Sequence, residues 1–526
     1  MKTINSCVAV LATVFGLTHP ACADSWVKAQ SEHFTVYSNS SSAVARQYVQ
    51  RLEAYNYTLY TLYKARNAEA DTTRPRFTAY LLRDRRDMRA VWPDVNENVA
   101  GFYRQCEEGS AAYATYEVAI AGGNTHLKKQ KDGFLDYVLF HEYAHHFMFE
   151  NYSVPLPAWY VEGFAEYFMT MDIDGKTIAI GQAESERYSR LVGEGWIDYA
   201  DMLRGVRQTK SEKMLQFYAQ SWLLTHYIMA SPERIQIFAG YIDDINGGAD
   251  PVTAFESRFD VNVTDLPKVL HDYLQKGVPV VSFTFKAMPE VAVDVTPMPK
   301  SADQLLMWNS ALETCAADNL GSDLMDRIDT ERLKYGNDAF SQLVEARAVI
   351  LNDEPRSVRF ADYQTLLSQR VAVNAQDGEA QYLLGRGYYR QAMAPDAKDM
   401  SGDMSRARSA LLKAYKLDPM YAPGLYYLSR AQSNLPAYPN DAAINAAVQA
   451  SNLAPSVSEY AWYAAHLLIV KDRSADAAIL LTPLAANPHS AKTAARARAA
   501  INAIKAGKPK DEVLALLNAS DTEDTE

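Results

Sequence analysis

Phe140-His141-Glu142-Tyr143-Ala144-His145-His146 lies inside an apolar run from Phe134 to Phe149. The length and composition of that run predict a helix, on which residues four apart share one face. His141 and His145 then point the same way and can hold one metal ion through two imidazoles. Glu142, one position on, can reach a water on that ion without ligating it, as a general base must. Two histidines four apart also occur as plain core residues. Histidine is scarce here, however, with 10 in 526 residues, so chance rarely builds the H-E-x-x-H spacing.

Downstream, Pro155 and Pro157 end the first helix and turn the chain. Trp159-Tyr160-Val161-Glu162-Gly163-Phe164-Ala165-Glu166-Tyr167 follows with helical spacing. Glu162 is placed to be the third, carboxylate ligand, leaving one position open. Glu166, four residues on, is placed to accept the free N–H of a ligand imidazole and fix its tautomer. The alternative for this glutamate pair is a solvated helix face. His146 and Glu150 fall on other faces of the first helix and read as surface or supporting residues rather than ligands.

The two motifs together resemble the gluzincin metallopeptidases, and the W-Y-x-E-G-x-A-E-Y form resembles their peptidase-MA-like branch. The likeness extends more loosely from about Trp26 to Gly277. It implies an α+β catalytic domain, one Zn2+ per chain on His141, His145 and Glu162, and Glu142 as the base. It also implies that an edge strand just before the zinc helix binds extended peptide, and the stretch from Ala111 to Ile120 occupies that position, although by its own residues it could equally be an interior strand. Farther on, Phe217 to Tyr227 resembles the aminopeptidase-type segment whose tyrosine donates a hydrogen bond to the transition-state oxyanion. Tyr218 matches that tyrosine, although Gln220-Ser221 stands where a lysine-glycine pair is common. A core tyrosine is the competing reading for Tyr218, and His226 is the fallback donor.

The first 23 residues carry Lys2, an apolar stretch from Val8 to Leu17 and Ala21-Cys22-Ala23. That pattern predicts a cleaved signal peptide, a mature chain from about Asp24 and a periplasmic or secreted location. The formal charge of −12 becomes −13 on loss of Lys2, with 51 basic residues against 64 acidic ones. Such a balance argues against a nucleic-acid partner. Of the 4 cysteines, Cys106 and Cys315 would remain, and their pairing is left open.

Alternation predicts strands over 26–37, 76–82, 101–104 and 111–120, with helices from Ala43 to about Arg66 and from Arg83 to Val91. Beyond the metal motifs, Thr177 to Ile180 reads as β-like and about 196–275 as mostly helical. Residues 278–300, with Pro279, Pro289, Pro297 and Pro299, read as a linker with one or two strands. Residues 301–520 read as a separate all-α domain, ahead of an acidic tail at 521–526. Within it, Ala407, Ala414 and Pro419 recur 36 residues later as Ala443, Ala450 and Pro455. A looser copy runs from Tyr460 to Pro488. Over about 378–490 this resembles tetratricopeptide repeats, which implies a protein partner. A generic helical bundle is the other reading.

Two functions follow from these expectations. One is a zinc peptidase of the cell envelope, using a metal-activated water on a peptide or protein substrate. The other is a non-catalytic metal-binding scaffold whose repeats mediate protein–protein interaction. Glu142 separates them, because a purely structural site has no use for a carboxylate beside its first histidine. Purified protein is expected to carry one zinc per chain and His145→Ala to carry much less. Equal zinc in the two by metal analysis would exclude the triad.

Overall fold

The computed structural model describes residues 25–64, 74–95, 99, 101–115, 134–152, 154–193, 195–206, 211–316, 320, 322–336, 338–485 and 490–518. The expected leader, residues 116–120 of the expected strand, the last part of the third repeat copy and the acidic tail lie outside the described residues.

Residues 26–37 form two strands rather than one, β1 (Val27–Gln30) and β2 (Phe34–Ser38), paired antiparallel with Val27 opposite Ser38. The turn between them closes by a hydrogen bond from the Ser31 N–H to the Phe34 carbonyl. Glu53 holds it from outside by accepting from the His33 backbone N–H at 3.0 Å. Alternation alone does not register such a tight reversal. Then come α1 (Ser42–Lys64), β3 (Phe77–Leu82), α2 (Arg85–Arg89), β4 (Gly101–Cys106) and β5 (Gly109–Thr115). The motif helices are α3 (Phe134–Asn151) and α4 (Ala158–Met169). A small sheet joins β6 (Asp172–Asp174), β7 (Thr177–Ile180) and β8 (Val281–Thr284). Between β7 and β8 lie α5 (Ser185–Val192), α6 (Tyr199–Leu203), α7 (Ser211–Met229), α8 (Pro232–Asn246), α9 (Pro251–Phe259) and α10 (Leu266–Gln275).

The main sheet has the order β4-β5-β3-β2-β1-β9, with β9 at Asp294–Pro297. β3 runs parallel to both β2 and β5, while the β4–β5 and β1–β9 pairs are antiparallel. β5 is therefore an interior strand, flanked by β4 and β3. The expectation of a peptide-binding edge there is corrected, because β4 folds back over β5 as a hairpin and takes the outer position. Among the described residues, no strand pairs with the far side of β4.

Both faces of this sheet are covered, and the two-residue period of the strands says how. Phe77, Ala79 and Leu81 of β3, with Ala112 and Ala114 of β5, face α1 and α3. Tyr80 and Leu82, with Tyr113 of β5 and Phe102 of β4, point the opposite way. They pack on Leu305, Leu306 and Leu312 of α11 (Ala302–Glu313) and on Val344 and Ala348 of the helix Ala339–Asn352. The hydroxyl of Tyr113 bonds Ser310 on α11, and a disulfide joins Cys106 at the end of β4 to Cys315 beyond α11. Residues 278–300 carry two strands, as expected for that segment, and these place β8 and β9 in the two sheets. From residue 302 on, the described residues are helical, without strands. The molecule is thus an α+β structure with a helical C-terminal region, and that region shares a core with the sheet.

This sharing runs against the reading of residues 301–520 as a separate domain. Cutting there would expose Trp26, Tyr80, Leu82, Phe102 and Tyr113, all buried against the helical half. Each such side chain is worth about 1.5–3 kcal/mol on burial, and a whole domain has about 5–15 kcal/mol of stability. Residues 24–300 expressed alone are therefore expected to be insoluble or molten. A sharp cooperative melt of that fragment would show that the shared core is dispensable.

Candidate metal centre

α3 is held against α1 by aromatic contacts. The Phe140 ring stacks on Tyr55 at 3.9 Å, and the Tyr55 hydroxyl donates to the Phe140 carbonyl at 3.1 Å. One turn along, the Tyr143 hydroxyl donates to Asn56 at 2.8 Å. Those contacts use one side of α3 and turn the side bearing Val138, His141 and His145 toward α4. The Trp159–Met169 stretch of α4 is buried throughout, because α3 covers one side and α7 the other. Gly163 permits the second contact. A Cβ there would lie 2.0 Å from Thr225 Oγ1 and 2.4 Å from the Ser221 carbonyl oxygen, so α4 and α7 cross too closely for any side chain.

The two helices bring His141, His145 and Glu162 together. Their Nε2 atoms lie 3.1 Å apart, and Glu162 Oε2 lies 3.6 Å from His141 Nε2 and 3.4 Å from His145 Nε2. A tetrahedral ion bound at 2.0–2.1 Å needs its donors about 3.3 Å apart, so this set has the spacing of three corners of such a shell. The donor chemistry, two imidazoles and a carboxylate, also suits zinc. His145 and Glu162 are buried, while His141 and Glu142 are partly exposed.

Glu166 lies where the sequence places it, with Oε1 at 3.5 Å from His141 Nδ1. The sequence reading missed its second neighbour. Arg187 on α5 donates to both oxygens of Glu166, from Nε at 2.7 Å and Nη2 at 3.0 Å. Burial works to lower the pKa of this guanidinium, and Glu166 outweighs it, so Arg187 stays charged. Nothing in local spacing announces it, since it lies 21 residues from its partner with a hairpin of sheet between.

Burial raises the Glu142 carboxyl to about 7; His145 pulls it down and Glu162 pushes it further up. A cation among the donors would bring it lower again. Tyr218 stands beside His141, their ring centres 6.4 Å apart, with the Arg187 guanidinium 5.7 Å over its ring. The charge of Glu162 and then burial hold its phenol proton tightly, so it is a hydrogen-bond donor at any physiological pH. His226, the fallback donor, is part of the core instead. Its Nε2 pairs with the Gly181 carbonyl at 2.9 Å and its Nδ1 with the Tyr273 hydroxyl at 2.8 Å. Eight residues from Tyr218, it faces β7 rather than the donors.

His146 and Glu150 are neither ligands nor surface groups. His146 Nε2 lies 3.1 Å from Glu150, whose side chain is buried and also meets Arg74 at 3.0 Å. Burial would raise the Glu150 carboxyl, and its contacts with His146 and Arg74 more than reverse that. The cluster lines a 500 Å³ cavity between α1 and α3, away from the donor set.

The chain matches no family model, and comparison with curated proteins and with solved structures found no match.

Arg187→Gln should leave the three donors in place but free Glu166 to turn from His141. Zinc affinity is expected to fall by about 10- to 100-fold, the usual cost of losing an outer partner of a ligand. Unchanged affinity in a chelator competition would remove Arg187 from the site. Affinity in the unaltered protein should also fall as pH is lowered below neutrality. Burial lowers the pKa of His145, but Glu162 outweighs it and leaves it raised, so protons compete early for that ligand.

Proposed function

We propose that the chain is a zinc-dependent peptidase of gluzincin type, working in the periplasm or outside the cell. The carrying observation is a two-imidazole, one-carboxylate donor set at tetrahedral spacing, with the Glu142 carboxyl one residue from the first imidazole. His141, His145 and Glu162 hold the metal, and Glu166, braced by Arg187, fixes the orientation of the His141 ring. Zinc so held supplies Lewis acidity that makes water nucleophilic toward an amide carbonyl near neutral pH.

The remaining work falls to the chain. Glu142 accepts the proton of the attacking water at its carboxylate and hands it to the leaving amine. Tyr218 contributes its hydroxyl to the oxyanion that forms as the carbonyl carbon becomes tetrahedral. No described residue takes a hydrogen bond from that hydroxyl, and Arg187 over the ring keeps it turned to the site. The outer side of β4, with which no described strand pairs, is where an extended substrate would add.

The C-terminal helix pairs are proposed to be tetratricopeptide-like. The pairs are Gly378–Met393 with Met400–Leu417, Ala422–Arg430 with Asp441–Leu453, and Ser458–Val470 with Ser474–Leu480, and the 36-residue recurrence of Ala407, Ala414 and Pro419 relates the first two. In all three the alanines face inward, with Ala407, Ala414, Ala443, Ala450 and Ala477 buried. The scaffold alternative has no use for Glu142 in this position.

Glu142→Gln is expected to keep zinc and fold while losing nearly all hydrolysis of an unfolded protein such as casein, because an amide cannot take the proton. Undiminished hydrolysis would remove Glu142 from the mechanism. Tyr218→Phe should lower kcat by about 10²- to 10³-fold with KM little changed, since the bond it deletes exists only in the transition state. Normal turnover with a lower melting temperature would make Tyr218 a structural residue.

A further inference from the structure

The turn between β4 and β5 is gripped by all three of those helix pairs. Glu108, at its centre, is 5% exposed, and its carboxylate is the focus of the grip. Arg386 Nε donates to Oε1 at 2.9 Å and the Tyr427 hydroxyl donates to the same oxygen at 2.9 Å, while the Tyr382 hydroxyl donates to Oε2. Arg386 lies 3.8 Å over the Tyr427 ring, so the guanidinium is fixed from two directions. The next pair continues the pattern, with the Tyr460 hydroxyl donating to the Glu107 carbonyl at 2.8 Å. Gln105 Nε2 donates to the Ser456 carbonyl at 2.7 Å. Cys106, on the same turn, is bonded to Cys315.

Every one of these donors on the repeats comes from the first helix of a pair, and the accepting Ser456 carbonyl from the turn before one. Their shared face, with its tyrosines and its arginine, is shaped for an acidic turn, and the chain supplies that turn itself. A buried carboxylate with three donors, one of them a guanidinium, is costly to leave half satisfied, so the contact is made firmly or not at all.

The opposite end of β4 lies at the metal centre. A Cβ on Gly101 would sit 2.2 Å from Val138 Cγ1, three residues before His141 on the same side of α3. Six residues separate clamp and cleft, about 20 Å of extended chain. We propose that the helical half is a clamp acting in cis, and that Glu108 is the positioning residue through which it sets β4 along the His141–His145 cleft. The consequence for catalysis rests on the peptidase reading; the clamp itself does not.

The test uses the full chain with Glu108→Gln and, as a variant that keeps all ring packing, Tyr427→Phe. Hydrogen exchange over residues 101–106 is expected to quicken by about tenfold in Glu108→Gln and less in Tyr427→Phe, with bound zinc unchanged. With casein, KM should rise while kcat holds. Should Glu108→Gln fail to fold, Tyr427→Phe decides by the same measurements. Exchange at the wild-type rate in folded variants would overturn the clamp. Faster exchange with an unaltered KM would overturn its link to the cleft. A wild-type protein that does not hydrolyse casein would count against the peptidase reading, and exchange would still judge the clamp.

Discussion

Negative charge buried in a small space has to be offset, and that constraint shapes the centre of this protein. Glu142, Glu162 and Glu166 bring three carboxylates onto facing sides of α3 and α4, where a charge shielded from water is costly unless it is paired. Arg187 answers Glu166 with two hydrogen bonds, and the imidazoles of His141 and His145 lie against Glu162. A divalent cation in the donor set would complete the balance, as the proposed zinc does. Several local features serve this arrangement. Gly163 lets α7 close over the back of α4, Phe140 and Tyr143 pin α3 to α1, and α5 exists where it does to present Arg187.

The second organising feature is a sheet with no solvated face. Because Tyr80, Leu82, Phe102 and Tyr113 point away from the metal centre into α11 and the helix Ala339–Asn352, the helical half is the other side of one core. The proline-rich segment before it reads as a linker with one or two strands. Its strands β8 and β9 stitch the segment into both sheets. Contacts through Glu108 and the Cys106–Cys315 disulfide add polar and covalent ties to the apolar ones. The helical region is thereby tied to the sheet by apolar, polar and covalent contacts at once.

Much of this was legible in the residues alone. An i, i+4 spacing fixes which side chains share a helical face whatever surrounds the helix, so the His141–His145 pair and the Glu162–Glu166 pair could be read directly. The two-residue period likewise located β3 and β4, and the 36-residue recurrence located the helix pairs. Local spacing could not decide partners that are distant in the chain. Arg187 meets Glu166 across a small hairpin, Cys106 meets Cys315 across 209 residues, and Glu108 meets Arg386 across 278. It could not tell an edge strand from an interior one, because β5 carries the same alternation in either place. Nor could it tell that His226 turns to Gly181, since the face a buried helix offers depends on what packs there. The sequence by itself determined which groups lie side by side within each element. Only the tertiary structure decided which elements meet, because that depends on burying both faces of the sheet and balancing charge at once.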